Sequence, residues 1–289
     1  MNENEQNQSN EDTTQNQQVT TDTETVENQQ LETTEQTGRI VIITGDKGGV
    51  GKSTFARGLL HLYINKQLKY LAYDSDHRNA QLYRHYDSAQ PGVKLLDIFT
   101  RGGADDLLID LEKELPPLVL VDLPAQSGLF FENFEKDLGV FDAVKGLGYR
   151  VTMVSVLSRV KDSVNILRIL HKYCGDSYGA LRYRVDYVVV KNLFHGEADK
   201  FERYDNSDTR TTLLVDGAVE IKMPDLFFKP YDYIDEKNLT FSEVLEDKQA
   251  NIVIKSRVSA WLKEFEQSVL NANELLGIKE NAVITDQTV

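Results

Sequence analysis

Cysteine is almost missing from this chain, with Cys174 the single one. One thiol cannot close an intrachain disulfide or build a Cys-x-x-Cys metal site, and it is expected as a small buried hydrophobe rather than a nucleophile. No run approaches the ~20 apolar residues of a membrane span. The N-terminus has neither the basic start nor the apolar centre of a secretory signal, so a soluble, cytoplasmic protein is expected. Residues 1–37 lack Lys and Arg altogether; they carry nine acidic residues among Asn, Gln, Thr and Ser. Such a segment has little to bury against its ordering entropy and is expected to be disordered. Removing its nine charges from the formal net charge of −14 leaves −5, so residues 38–289 are only mildly acidic. At 289 residues the chain has room for one large domain or two small ones and a sizeable core.

What is present is concentrated in Thr44-Gly45-Asp46-Lys47-Gly48-Gly49-Val50-Gly51-Lys52-Ser53-Thr54, which follows the apolar run Ile40–Ile43. From Gly45 to Ser53 it fits G-x-x-x-x-G-K-[ST]. A strand ending in a glycine-dense turn points successive backbone N–H groups at an anion, and the following helix adds its positive end. In that pattern Gly48, Gly49, Val50, Gly51, Lys52, Ser53 and Thr54 cradle a nucleotide. Lys52 reaches the outer phosphates, the Ser53 hydroxyl ligates Mg²⁺ and Thr54 donates to the α-phosphate. Phe55, Leu59, Leu60 and Tyr63 continue at helical spacing.

Two apolar runs end in carboxylates. Tyr70–Tyr73 leads to Asp74-Ser75-Asp76, and Leu118–Val121 leads to Asp122. Acids at the C-terminal ends of parallel strands face the crevice where open α/β sheets bind ligands. An acid at Asp122 can accept hydrogen bonds from metal-bound water.

With the second lysine, Lys47, the loop reads K-G-G-V-G-K-S and resembles the deviant Walker A ATPases of the ParA/MinD type. The resemblance covers about residues 38–275. It implies an α/β, three-layer P-loop NTPase fold with a mostly parallel central sheet flanked by helices, expected over residues 38–276; residues 277–289 read as a frayed tail. It implies ATP and Mg²⁺ as cofactors and a nucleotide-sandwich homodimer in which Lys47 touches the partner's phosphates. Asp76 would orient water, Asp74 would belong to the Mg²⁺ surroundings with Ser53 and Asp122, and Asn192 would bond the adenine edge. No Asn-Lys-x-Asp guanine signature follows Asn192, which favours ATP over GTP. Two departures stand out. Asp76 is followed by His77-Arg78-Asn79-Ala80 rather than P-Q-G-N-A, and Pro124–Gly128 is a switch lengthened by two residues. The single cysteine excludes relatives that bridge an iron–sulfur cluster or a zinc clasp.

The rest is plainer. Asp105–Glu114, Leu129–Val144 and the stretch from Val160 read as helices, and Tyr149–Leu157, Tyr187–Val190 and Val219–Met223 as strands. Leu95–Phe99 reads as an edge strand or a helix turn, and residues 195–217 as a polar surface insertion. Residues 143–191 hold nine Lys or Arg against three Asp, a basic region that could bind DNA without reading sequence or be simply a solvated helix face. The closing stripe Ile254, Val258, Trp261, Phe265, Val269 and Ala272 is expected to pack on the sheet; its mixed charges suit a membrane surface poorly. The function expected is an ATP-hydrolysing dimerisation switch with an unidentified stimulating protein partner, serving plasmid partition, conjugal transfer or cargo positioning. The alternative is a nucleotide-dependent DNA- or protein-binding module with negligible hydrolysis. A metabolic ligase would need an acceptor site for which there is no motif.

Overall fold

The computed structural model describes residues 38–45, 47–125, 128–176 and 185–278; the acidic N-terminal segment, the last eleven residues and Gln126-Ser127 of the switch stretch lie outside them. Seven strands form one sheet: β1 (Gly38–Thr44), β2 (Leu71–Asp74), β3 (Val93–Leu95), β4 (Leu118–Asp122), β5 (Tyr149–Leu157), β6 (Asp186–Asn192) and β7 (Val219–Met223). Their order is β3-β2-β4-β1-β5-β6-β7, and every pairing is parallel.

The strands read as continuous apolar runs because both sheet faces are covered. Side chains alternate across the sheet, so Val41 and Ile43 of β1 enter one core and Ile40 and Ile42 the other. On the first face lie α1 (Lys52–Asn65), α2 (Gln81–Tyr86), α9 (Phe228–Lys237), α10 (Phe241–Glu246) and α11 (Ile252–Val269). On the second lie α3 (Asp105–Glu114), α5 (Val140–Gly146), α6 (Lys161–Asp176), α7 (Glu202–Asp205) and α8 (Asp208–Val215), while α4 (Gly128–Leu138) leads into α5. This is the three-layer α/β arrangement expected, with the sheet wholly parallel among the described residues.

The closing helix packs as its stripe implies. Val258, Trp261, Phe265 and Val269 are buried, and the Trp261 indole N–H donates to the Pro224 carbonyl at 2.9 Å. Phe241, Trp261 and Phe265 stack in a column with centroids 5.0 and 4.9 Å apart. No described helix is long and apolar enough to cross a membrane. Cys174 is buried, and burial pushes its thiol up to about 12, leaving it inert at neutral pH.

Three expectations need revision. Residues 195–217 are more than a polar surface insertion: Phe201, Tyr204 of α7 and Leu213 of α8 are buried in the second core, and Arg210 forks onto Glu220 at 2.7 and 2.8 Å. A few large apolar side chains carry that packing inside a charge-rich composition. The helix read over Leu129–Val144 is two, broken where Gly139 turns left-handed at φ 59°. The edge strand is Val93–Leu95; the Leu96 N–H still donates to the Asp74 carbonyl at 2.9 Å, and Leu96 and Ile98 are buried in the second core.

Candidate nucleotide site

β1 occupies the middle of the sheet, so its C-terminal end opens between neighbouring strands on both sides. There the chain turns through Gly45–Gly51 into α1. Gly51 has φ +100°, and a Cβ on it would stand 2.4 Å from Asn192 Nδ2 and 2.9 Å from Met223 Cε. Conformation and close approach both demand glycine there. The α1 N-terminus carries no side-chain cap and no acid in its first turn. Side-chain caps occur on α8, α10 and α11, from Ser207, Thr240 and Asn251, whereas α2, α3, α5, α7 and α9 share the uncapped start of α1. Uncapped N–H groups at a helix start are an anion site.

The loop faces a cleft of about 540 Å³ lined by Gly48, Gly49, Gly51, Lys52, Ser53, Thr54, Asp76 and Asn192. Asn192, at the end of β6, is buried. Its Nδ2 donates to the Val50 carbonyl at 2.8 Å and its Oδ1 accepts the Phe194 N–H at 3.1 Å, so it ties the loop to the sheet as well as facing the cleft. Val50 itself is buried beneath the loop. Lys47 is exposed on the other side, toward β5 and α6, and does not line the cleft.

Behind Lys52 two carboxylates are buried side by side. Asp74 and Asp122 are register partners on β2 and β4. Asp74 accepts the Asp76 N–H at 2.9 Å and the Tyr83 N–H at 3.0 Å, which fixes the turn into α2. One oxygen of Asp122 is buried without a hydrogen-bond partner among the described residues. Burial raises the pKa of both, and Asp74 pushes Asp122 further; the Ser53 hydroxyl and the Lys52 charge pull Asp122 back. Like charges this close in a dry site call for a cation. Asp76 is half-buried at the cleft, its Oδ1 accepting the Arg78 and Asn79 N–H groups at 3.2 and 3.1 Å.

No three His, Cys, Asp or Glu side chains among the described residues are grouped to hold a metal by themselves. The orphaned Asp122 oxygen and the neighbouring Ser53 hydroxyl fit a cation that completes its shell with phosphate oxygens and water, the way Mg²⁺ is usually held.

Sequence reasoning missed one wall. Helix α9 places Phe228, Tyr231 and Asp232 on the cleft, with Phe194 also lining it. The only signal was the aromatic density after Pro224. The basic region 143–191 is partly spent inside the fold: Arg150 pairs with Asp186 at 2.6 Å and Lys191 with Asp205 at 2.5 Å. Lys145, Arg159, Lys161 and Arg168 are exposed, and Arg182 and Arg184 lie outside the described residues.

Fold and site together define a P-loop nucleotide-binding protein. Residues 41–271 match the CobQ/CobB/MinD/ParA nucleotide binding domain, and the chain belongs to that family. Protein MobD of Acidithiobacillus ferrooxidans is 24% identical over 225 residues, covering 78% of this chain and 93% of MobD. Among solved structures, the MinD cell division protein of Aquifex aeolicus is similar at 15% identity, over 80% of this chain and 97% of that one, with a TM-score of 0.45. A Cyanothece McdA–ATP complex is similar at 14% identity, over 86% and 99%, with a TM-score of 0.45.

Proposed function

We propose that this chain is an ATP-binding and hydrolysing dimerisation switch of the ParA/MinD type, acting in plasmid partition, conjugal transfer or the positioning of another cargo. The observation that carries the reading is the uncapped, glycine-turned start of α1 facing one cleft with Lys52, Ser53 and Asp76, above the buried pair Asp74 and Asp122.

In this reading residues 38–276 form the ATPase domain. The N–H groups of Gly48 to Thr54 bind the phosphates, and the Lys52 ammonium compensates charge on the outer ones. Ser53 and Asp122 would hold Mg²⁺, with Asp74 adding charge beside them; the ion supplies further charge compensation when bound. Asp76 orients the attacking water, and Asn192 offers its remaining amide capacity to the base. Lys47, directed away from its own cleft, reaches the phosphates of a partner subunit, so ATP closes the homodimer and hydrolysis opens it. A protein partner would stimulate this turnover, and the exposed cations of α6 could hold nonspecific DNA in a salt-sensitive way.

An Asp76→Ala variant tests the catalytic assignment. It should bind ATP and dimerise as the parent does, while turnover measured by phosphate release falls at least about a hundredfold. Unchanged turnover would favour the second reading, a nucleotide-dependent binding module with negligible hydrolysis. That reading draws on the Asp76 oxygen already engaged by the Arg78 and Asn79 N–H groups.

A further inference from the structure

The cleft also carries two large rings with most of their surface open. Phe194 is 64% exposed and Phe228 55%. Both are held from behind. Phe228 lies against Phe227 with centroids 4.4 Å apart and the rings tilted by 46°, and the Arg257 guanidinium covers Phe227 at 4.1 Å, so the open ring is backed by a second ring and a cation. The Phe194 N–H is fixed by Asn192, and its ring meets His195 edge-on at 5.2 Å. Keeping two phenyl rings in water costs hydrophobic free energy. Pre-positioned on the walls of one cleft, they suit a flat, apolar-faced ligand. Phe228, Tyr231 and Asp232 stand at i, i+3 and i+4 of α9, on one helix face, so an exposed carboxylate acceptor shares the wall with the ring.

We propose that Phe194 and Phe228 are specificity-determining residues that grip the nucleobase by stacking, and that Asp232 accepts a hydrogen bond from an amino group of the base. This rests on the reading that a nucleoside triphosphate occupies the cleft, and adds which side chains read its base. The loop N–H groups and Lys52 recognise phosphate alone; selectivity for what the phosphates carry falls to the Asn192 amide and to these three side chains.

The test separates the two ends of the ligand. The full chain is titrated with ATP and with inorganic tripolyphosphate, both with Mg²⁺, as parent, Phe194→Ala, Phe228→Ala, Asp232→Asn and the ring-preserving Phe228→Tyr. Stacking on an aromatic side chain typically matters enough that each alanine variant should bind ATP about tenfold more weakly, with tripolyphosphate within about twofold of the parent. Asp232→Asn should weaken ATP alone by about fivefold, and Phe228→Tyr should match the parent within about twofold. Undiminished ATP affinity in the Phe194→Ala/Phe228→Ala double variant would overturn the proposal. So would ATP and tripolyphosphate affinities falling in parallel. A parent chain that bound neither ligand would instead sink the nucleotide reading itself.

Discussion

Lys52 is 7% exposed, and it shares its surroundings with Asp74 and Asp122, both more deeply buried. Charges that deep are tolerated where they compensate one another or await a ligand. Arg57, one and a half turns further along α1, has no such balance. It is 1% exposed, its three guanidinium nitrogens lack hydrogen-bond partners among the described residues, and its plane lies over Phe241 at 5.3 Å. Burial lowers its pKa. Since a buried cation without a close partner costs more than an apolar side chain of similar length, Arg57→Met should leave stability unchanged or raise it by up to about 2 kcal/mol. A urea midpoint falling by the equivalent of more than about 2 kcal/mol would mean that Arg57 has a stabilising partner in solution.

At the scale of elements, the junction of α4 and α5 holds a titratable carboxylate. Glu135 is buried, its Oε2 accepts the Phe141 N–H at 3.0 Å, and its Oε1 has no partner among the described residues. Burial, with a smaller contribution from Asp142, pushes it up to about 7 from an ordinary 4.5. The folded chain therefore holds this proton more tightly than the unfolded one. Below the ordinary pKa the group carries no penalty. As pH rises from about 4.5 to 7 the unfolded chain releases this proton while the folded one still holds it, so stability falls across that window and the loss is complete above 7. Glu135→Gln keeps an acceptor for Phe141 and removes that charge, so it should stabilise by about 1–2 kcal/mol at pH 8.5 and by almost nothing at pH 4.5. Denaturant unfolding at the two pH values checks this, and an equal effect at both would contradict it.

The same elements explain what the sequence made legible. Strands buried on both faces leave unbroken runs such as Leu118–Val121 and Tyr149–Leu157, and the glycines of the loop announce a conformation few other residues adopt. The strand, loop and helix that form one side of the cleft were thus readable, as was the strand that ends at Asp122. The opposite half was not. Phe228, Tyr231 and Asp232 become one wall only once α9 is formed, and neither α9 nor α10 shows a long stripe. Their burial rests on single anchors such as Ile234, Phe241 and Val244. Gly139 hid its break because the apolar spacing continues through it.

At the scale of the whole molecule, the sheet order sets the loop at the centre of one edge, with Lys47 on its outer side and the cleft on its inner side. In the proposed dimer a cation so placed serves the partner subunit. Lys47→Ala should therefore bind ATP within about threefold of the parent yet sediment as a monomer with ATP and Mg²⁺ present. ATP-dependent dimers persisting in that variant would remove Lys47 from the interface. The central claim, that the start of α1 binds a nucleoside triphosphate, is tested most directly by equilibrium dialysis of ATP with Mg²⁺ against the parent and Lys52→Ala. Saturable uptake of about one ATP per chain is expected, with affinity lower by at least about a hundredfold in the variant. No uptake by the parent, or equal uptake by both, would contradict it.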